Sequence, residues 1–500
     1  MKQLYLFITC FLLSFVQAKA NNLAIGASPI YNSSAQTLTF TISWDNSWSI
    51  SSGPSNWDAV WVFIKRQNCS GNNNWVHQFV SPTSGDHSAM SGGSASTLVS
   101  VDGVTDGMGV FVKRIGTNVI GNVSSQTITL KLTSTNPSIT TSATDNFEVL
   151  GMEMVYVPQG NFYLGDGRST NTSNFSAGNT TQPLLINASI QNAGLGSYTN
   201  YTSGPQYGCS VSLPSIFPLG YNGFYCMKYE ISQGLVVEFL NALTYDQQAV
   251  KTTARGASNL PNVDGVYFNN NWAGFQTYIP TGNKGTYNTV PAKFYTAYPH
   301  IPENLSWQDL TSFLDWSGLR PMTEFEFEKA CRGTLPPVAY EYPWGNTSIN
   351  SACCDYSTTR TWTIAEGLSN FNNNNGPIRS GFAATSGTNR SQAGATYYGI
   401  MEMGGNLFEQ CVGGGNGYNY SAFTITNGNG VLNTNGLADV TGWPSNGGVN
   451  SGTIMKGGYH YSQSTGYNII QVSDRSFFGG SDNNSVGKDN ANGGRGVRSF

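Results

Sequence analysis

The chain is 500 residues long, 39% apolar and 10% charged, with a formal net charge of −4. Charged side chains fall well below the ~25% of an average soluble protein, so Asn, Ser, Thr, Tyr and Gly must hydrate most of the surface. The balance leaves no basic footprint for nucleic acid or for an anionic membrane surface.

Residues 1–20 read as a secretory signal peptide: Lys2 opens it, Leu4 to Val16 form the apolar centre, and Ala18-Lys-Ala20 offers small residues for cleavage. The apolar run is short of the ~18–20 residues a spanning helix needs, and no later stretch approaches that length. An exported chain, periplasmic or at the cell surface and without a membrane span, is expected. Of eight cysteines, Cys10 leaves with the signal, and Cys69, Cys209, Cys226, Cys331, Cys353, Cys354 and Cys411 remain. Export permits disulfides, yet an odd number leaves at least one thiol free or paired between chains. Small buried hydrophobes are the plain alternative, and no spacing suggests zinc.

Residues 21–132 carry strand signals. Leu38, Phe40, Ile42 and Trp44 alternate with polar residues, the period of a strand with one buried face. Ala59-Val-Trp-Val-Phe-Ile64 is continuously apolar, as in a strand buried on both faces. Gly109-Val-Phe-Val112 and Thr127 to Leu132 add two more, and Gly, Ser, Asn and Asp clusters punctuate the series. A β-sandwich would bury them. Trp44, Trp48, Trp57 and Trp61 suit its core, with a sugar-binding face as the alternative.

Residues 133–146, rich in Ser and Thr, read as a linker. The second unit, residues 147–500, opens on the strand-like run Glu148 to Val157. Helical periodicity appears over Glu230–Leu240 and Ser306–Trp316, and Thr323-Glu-Phe-Glu326 has the form of a capping box before a short helix to Cys331. Glycine-rich loop fills much of the rest. The fold class expected is α+β.

Six short motifs then recur in one order: Met154-Val-Tyr-Val-Pro-Gln-Gly160, Arg320-Pro-Met-Thr-Glu-Phe-Glu-Phe-Glu328, Tyr342-Pro-Trp-Gly-Asn346, Gly399-Ile-Met-Glu-Met-Gly-Gly-Asn-Leu-Phe-Glu409, Lys456-Gly-Gly458 and Gly493-Gly-Arg-Gly-Val-Arg498. In order and spacing they resemble the formylglycine-generating enzyme, or sulfatase-modifying factor, family. The resemblance implies a loop-rich fold related to C-type lectins. It also implies a calcium site on Glu402 to Glu409: side chains of Glu402 and Glu409, carbonyls of Gly405 and Leu407. Two carboxylates with carbonyls and water suit a cation that takes six to eight oxygens at ~2.3–2.6 Å. A second family site would come after Trp344-Gly-Asn346, where Asp355 is a possible ligand.

Active relatives oxidise a sulfatase cysteine with a copper-binding cysteine pair placed soon after the Lys-Gly-Gly motif. Here Tyr459-His-Tyr-Ser462 to Tyr467 stands in that place, and the chain has no cysteine after Cys411. A hydroxyl replaces a thiolate neither as a soft ligand for Cu(I) nor in disulfide chemistry. No copper is expected. His460 lacks a convergent partner, and His77, His87 and His300 are dispersed. Glu324, Glu326 and Glu328 read as supports of a short helix, while Arg495 and Arg498 should anchor the last strand on carboxylates or carbonyls. The expectation is a pseudoenzyme: an exported binding or assembly module engaging a protein or glycan at the cell envelope. The alternative is a divergent metal-dependent oxidase or sulfatase-maturing enzyme with a different site.

Overall fold

The computed structural model describes residues 22–499 except 27, 68–73, 92–96, 134–144, 168–174, 176–181, 199–210, 245, 249–250, 252–265, 268–271, 274–275, 279–292, 296–298, 353–362, 374–375, 415–419, 448–450, 463–466 and 478–490. The signal segment, Cys69, Cys209, Cys353, Cys354 and Asp355 therefore lie outside the described residues. What is described is mostly sheet with few helices.

Alternation decides the first sheet. In the strand Thr37–Ser49, Leu38, Phe40, Ile42 and Trp44 are buried while their neighbours are partly or fully exposed. This strand pairs antiparallel with Val119–Lys131, from Thr37 opposite Lys131 to Ser49 opposite Val119. The continuous apolar run behaves differently. Asp58–Gln67 is buried on both faces, and its side chains divide by parity between two cores. Val60, Val62 and Ile64 join Leu38, Phe40, Ile42 and Trp44. Ala59, Trp61 and Phe63 instead meet Leu310, Phe313, Leu314 and Trp316 of the helix Trp307–Trp316.

The boundary expected at residues 133–146 does not interrupt the sheet. Asn146–Val157 lies antiparallel to Asp58–Gln67, from Asn146 opposite Gln67 to Val155 opposite Asp58. Its far end pairs with Phe224–Met227, which in turn holds Gly496–Arg498. One eight-stranded sheet thus runs from Val99–Gly103 to Arg320–Pro321. Trp61 Nε1 donates to the Ser317 carbonyl at 2.8 Å and Lys65 Nζ to the Trp316 carbonyl at 2.6 Å, closing the seam.

Helices begin where side chains cap them. Ser232 caps Gln233–Asn241, and Ser306 Oγ accepts from Asp309 N at 3.1 Å to start Trp307–Trp316. The expected capping box is present: Thr323 Oγ1 accepts from Glu326 N at 3.2 Å, and Glu326 Oε2 accepts from Thr323 N at 3.0 Å. The helix Glu324–Arg332 stops at Gly333, whose φ is +67°. Its carboxylates are structural, because Glu324 pairs with Arg475, Glu326 with Arg320 and Glu328 with Arg332. The four tryptophans differ in burial. Trp44 and Trp61 are fully buried, whereas Trp48 and Trp57 are half-buried and donate to Asn56 and Tyr225.

Candidate metal site

The segment between Glu402 and Leu407 turns through left-handed backbone three times, with φ +51° at Glu402, +80° at Gly405 and +65° at Asn406. At Gly405 only glycine fits, since an added Cβ would lie 2.3 Å from Ser369 Oγ and 2.6 Å from the Asn370 carbonyl. Asn tolerates the next left-handed step, and its amide is used completely. Asn406 Nδ2 donates to Glu230 Oε2 at 2.6 Å and to the Ile378 carbonyl at 3.3 Å. Its Oδ1 accepts from Asn370 Nδ2 and Ile378 N, both at 2.9 Å.

The turn feeds the strand Phe408–Val412, which lies between Thr453–Lys456 and Asn492–Gly493. That register brings Glu409 beside Arg495. Arg495 donates to Glu409 Oε1 from Nε at 2.6 Å, and its Nη2 lies 2.5 Å from the same oxygen. The guanidinium also reaches the carbonyls of Met227, Lys228 and Glu402. Arg495 and Arg498 therefore anchor the last strand as expected, Arg498 on Gly318 and Asp106. Arg475 is committed elsewhere, to Glu324.

Glu402 Oε1 accepts from Gly381 N at 2.8 Å. Among the described residues, Glu402 Oε2, Glu409 Oε2 and, next to Gly381, Ser380 Oγ are buried with no hydrogen-bond partner. A buried acceptor left unmade is costly; Glu402 Oε2 and Glu409 Oε2 flank the turn, and Ser380 adjoins the Gly381 N that Glu402 Oε1 holds.

The electrostatics point the same way. Burial first, then Glu409 and Glu402, push the Glu230 carboxyl well above its ordinary range. Burial likewise pushes Glu402 up to about 7, against the Gly381 hydrogen bond and Arg495. Burial raises Glu409 too, with Arg495 opposing. Three buried carboxylates thus face one buried guanidinium, with Arg379 acting on Glu402 from a partly exposed position. A bound cation would offset the negative charge that Arg495 and Arg379 leave uncompensated.

Of the four residues expected as ligands, the structure brings Glu402 and Glu409 into one buried charge cluster, with Gly405 and Leu407 in the turn between them. Among the described residues no group of three or more His, Cys, Asp or Glu could hold a metal ion. A cation here would therefore take two carboxylates and complete its shell with main-chain oxygens. Glu230 escaped sequence reasoning. It accepts from Leu407 N at 2.9 Å across 177 residues, and nothing local in Tyr229-Glu-Ile231 announces that contact.

The Asn346 amide, expected near a second site, is used within the protein, donating to Ser391 Oγ and accepting from Ser348 N. Cys226, Cys331 and Cys411 are free, buried and packed in one core. Burial pushes the Cys226 thiol up to about 12, and Cys331 and Cys411 well above their ordinary value. Beyond Lys456-Gly-Gly458, Ser462 Oγ accepts from Tyr459 N at 3.1 Å. His460 is buried, its Nδ1 2.8 Å from the Asn373 carbonyl, so that nitrogen carries the hydrogen.

The family model for the sulfatase-modifying factor enzyme 1-like domain matches residues 141–487, and the chain belongs to that family. A search of curated proteins finds no match.

Proposed function

We propose that this chain is an exported, non-catalytic binding or assembly module on the sulfatase-modifying scaffold, engaging a protein or glycan partner at the cell envelope. The segment Tyr459 to Ser462, directly after Lys456-Gly-Gly458, carries the reading: it offers hydroxyls and an imidazole already committed to a carbonyl. The described thiols support it, because Cys226, Cys331 and Cys411 sit in the core with burial opposing the thiolate a soft metal needs. The shared core of Leu38, Phe40, Val60 and Val62 supports a β-sandwich at the N-terminal end. The glycine-rich pinned loops support a C-type-lectin-related fold beyond it. Such loops can change partner without disturbing the core.

Calcium fits as a structural ion. Glu402 and Glu409 would hold it through their unpartnered oxygens, with the carbonyls of Gly405 and Leu407. When bound, it supplies charge neutralisation and rigidity, not redox chemistry. Arg495 holds the other oxygen of Glu409, and Gly381 holds the other oxygen of Glu402, so both carboxylates are oriented in advance.

Elemental analysis of the purified full chain, with an oxidation assay on a sulfatase-derived cysteine peptide, tests the reading. Stoichiometric calcium, no copper and no turnover are expected. Bound copper with turnover would overturn it in favour of a divergent oxidase. Recovery of the native chain in an envelope or extracellular fraction checks its location.

A further inference from the structure

The carboxylate cluster does not end at Glu230. A chain of buried amides leads away from it, and every side-chain link points the same way. Asn373 Nδ2 donates to Asn370 Oδ1 at 2.9 Å, Asn370 Nδ2 to Asn406 Oδ1 at 2.9 Å, and Asn406 Nδ2 to Glu230 Oε2 at 2.6 Å. At the far end the Asn373 carbonyl accepts from His460 Nδ1 at 2.8 Å, while Asn373 N donates to the His460 carbonyl at 2.7 Å. His460 N closes the circuit on the Asn406 carbonyl at 2.8 Å, and Asn372 N reaches the Ser462 carbonyl at 3.1 Å. Asn370, Asn373, Asn406 and His460 are each no more than 1% exposed.

We infer that this Asn373–Asn370–Asn406 relay couples cation binding at Glu402 and Glu409 to the order of the segment Tyr459–Ser462. The physical ground is the direction of the donors. Aligned amides polarise one another in a low-dielectric interior, and the three here run in series to Glu230, which Asn406 alone of them contacts and which also holds Leu407 N in the turn. Glu230 holds both the Asn406 amide at the end of the relay and Leu407 N inside the turn, so a turn fixed around a cation fixes the acceptor on which the relay ends. A turn left free to shift moves Leu407 and Asn406 against Glu230 and loosens the relay. Tyr461, 40% exposed, rides on the locked segment beside Tyr459, so the ion sets how an aromatic surface is presented.

The inference rests on the calcium reading, and the test separates the two. Backbone hydrogen exchange is monitored in the full chain with calcium or with chelator, alongside bound-calcium stoichiometry, for the natural chain, Asn373→Ala and Asn370→Ala. Calcium is expected to slow exchange at Asn372, Asn373, His460 and Ser462 by roughly tenfold, leaving the strand Thr37–Ser49 unchanged. Asn373→Ala should still take up calcium yet lose the slowing at His460 and Ser462. Calcium uptake with no slowing in the natural chain overturns the coupling and spares the metal site. Slowing that survives undiminished in both variants overturns the relay. Failure to take up calcium overturns the metal site and the coupling together. Should either variant fail to fold, the natural-chain comparison still decides the coupling, and the other variant the relay.

Discussion

The N-terminal strands and the C-terminal loop region are held by different physics. At the N-terminal end, long ladders and alternating apolar side chains do the work, and polar groups such as Asp58 are fully bonded to Trp44, Ser47 and Trp48. At the other end strands are only two to five residues long, and buried charges pin the loops: Arg320 on Glu326, Arg332 on Glu328 and Glu341, Arg475 on Glu324, Arg495 on Glu409. The lesson is that low overall charge does not mean weak electrostatics. This chain keeps few ions and buries many of them.

The contrast makes the two regions fail differently. Arg495→Leu should do most damage, about 3–5 kcal/mol, because it strands three carboxylates in the interior; denaturant midpoints check this, and an effect below that of a surface change would refute it. Gly405→Ala comes next, at roughly 1–3 kcal/mol for a forced left-handed alanine, with the Ser369 and Asn370 contacts adding to the cost. Saturating calcium should raise stability by about 2.7 kcal/mol at a hundredfold excess over Kd, read as a higher melting temperature, and Glu402→Gln should reduce that gain. In the ladder region Ile42→Val should cost only about 1 kcal/mol, measured in the same denaturant series.

The pH response is the finest probe. His77 Nε2 donates to the Met108 carbonyl while Nδ1 faces Lys65 Nζ at 3.3 Å. Burial first, then Lys65, hold its pKa well below the ordinary 6.5. Its contribution is therefore present above 6.5 and lost as pH falls. Asp315, raised by burial to about 6, has the opposite sign: its contribution is present below 3.8 and lost as pH rises through about 6. His77→Gln should flatten the loss of stability between about pH 7 and pH 5, and an unchanged slope would discount His77.

Much of the ladder region could be read directly. Alternation in Thr37–Ser49, the doubly buried Asp58–Gln67 and the Thr323 capping box are local patterns, and local patterns survive in one dimension. The turn from Glu402 to Glu409 was readable only through family motifs. The Glu230 contacts, the amide relay and the pairing of Asp58–Gln67 with Asn146–Val157 join residues up to 177 positions apart. No periodicity encodes them.

The pairing of Asp58–Gln67 with Asn146–Val157 means the family-matched stretch is not a detachable part. Cut free at residue 141, it would expose the Asn146–Val157 ladder as an open edge, together with the Trp316 ring that now packs on Phe63 and the core it shares with Trp61. Open ladders recruit other chains, so such a fragment should precipitate or pair with itself.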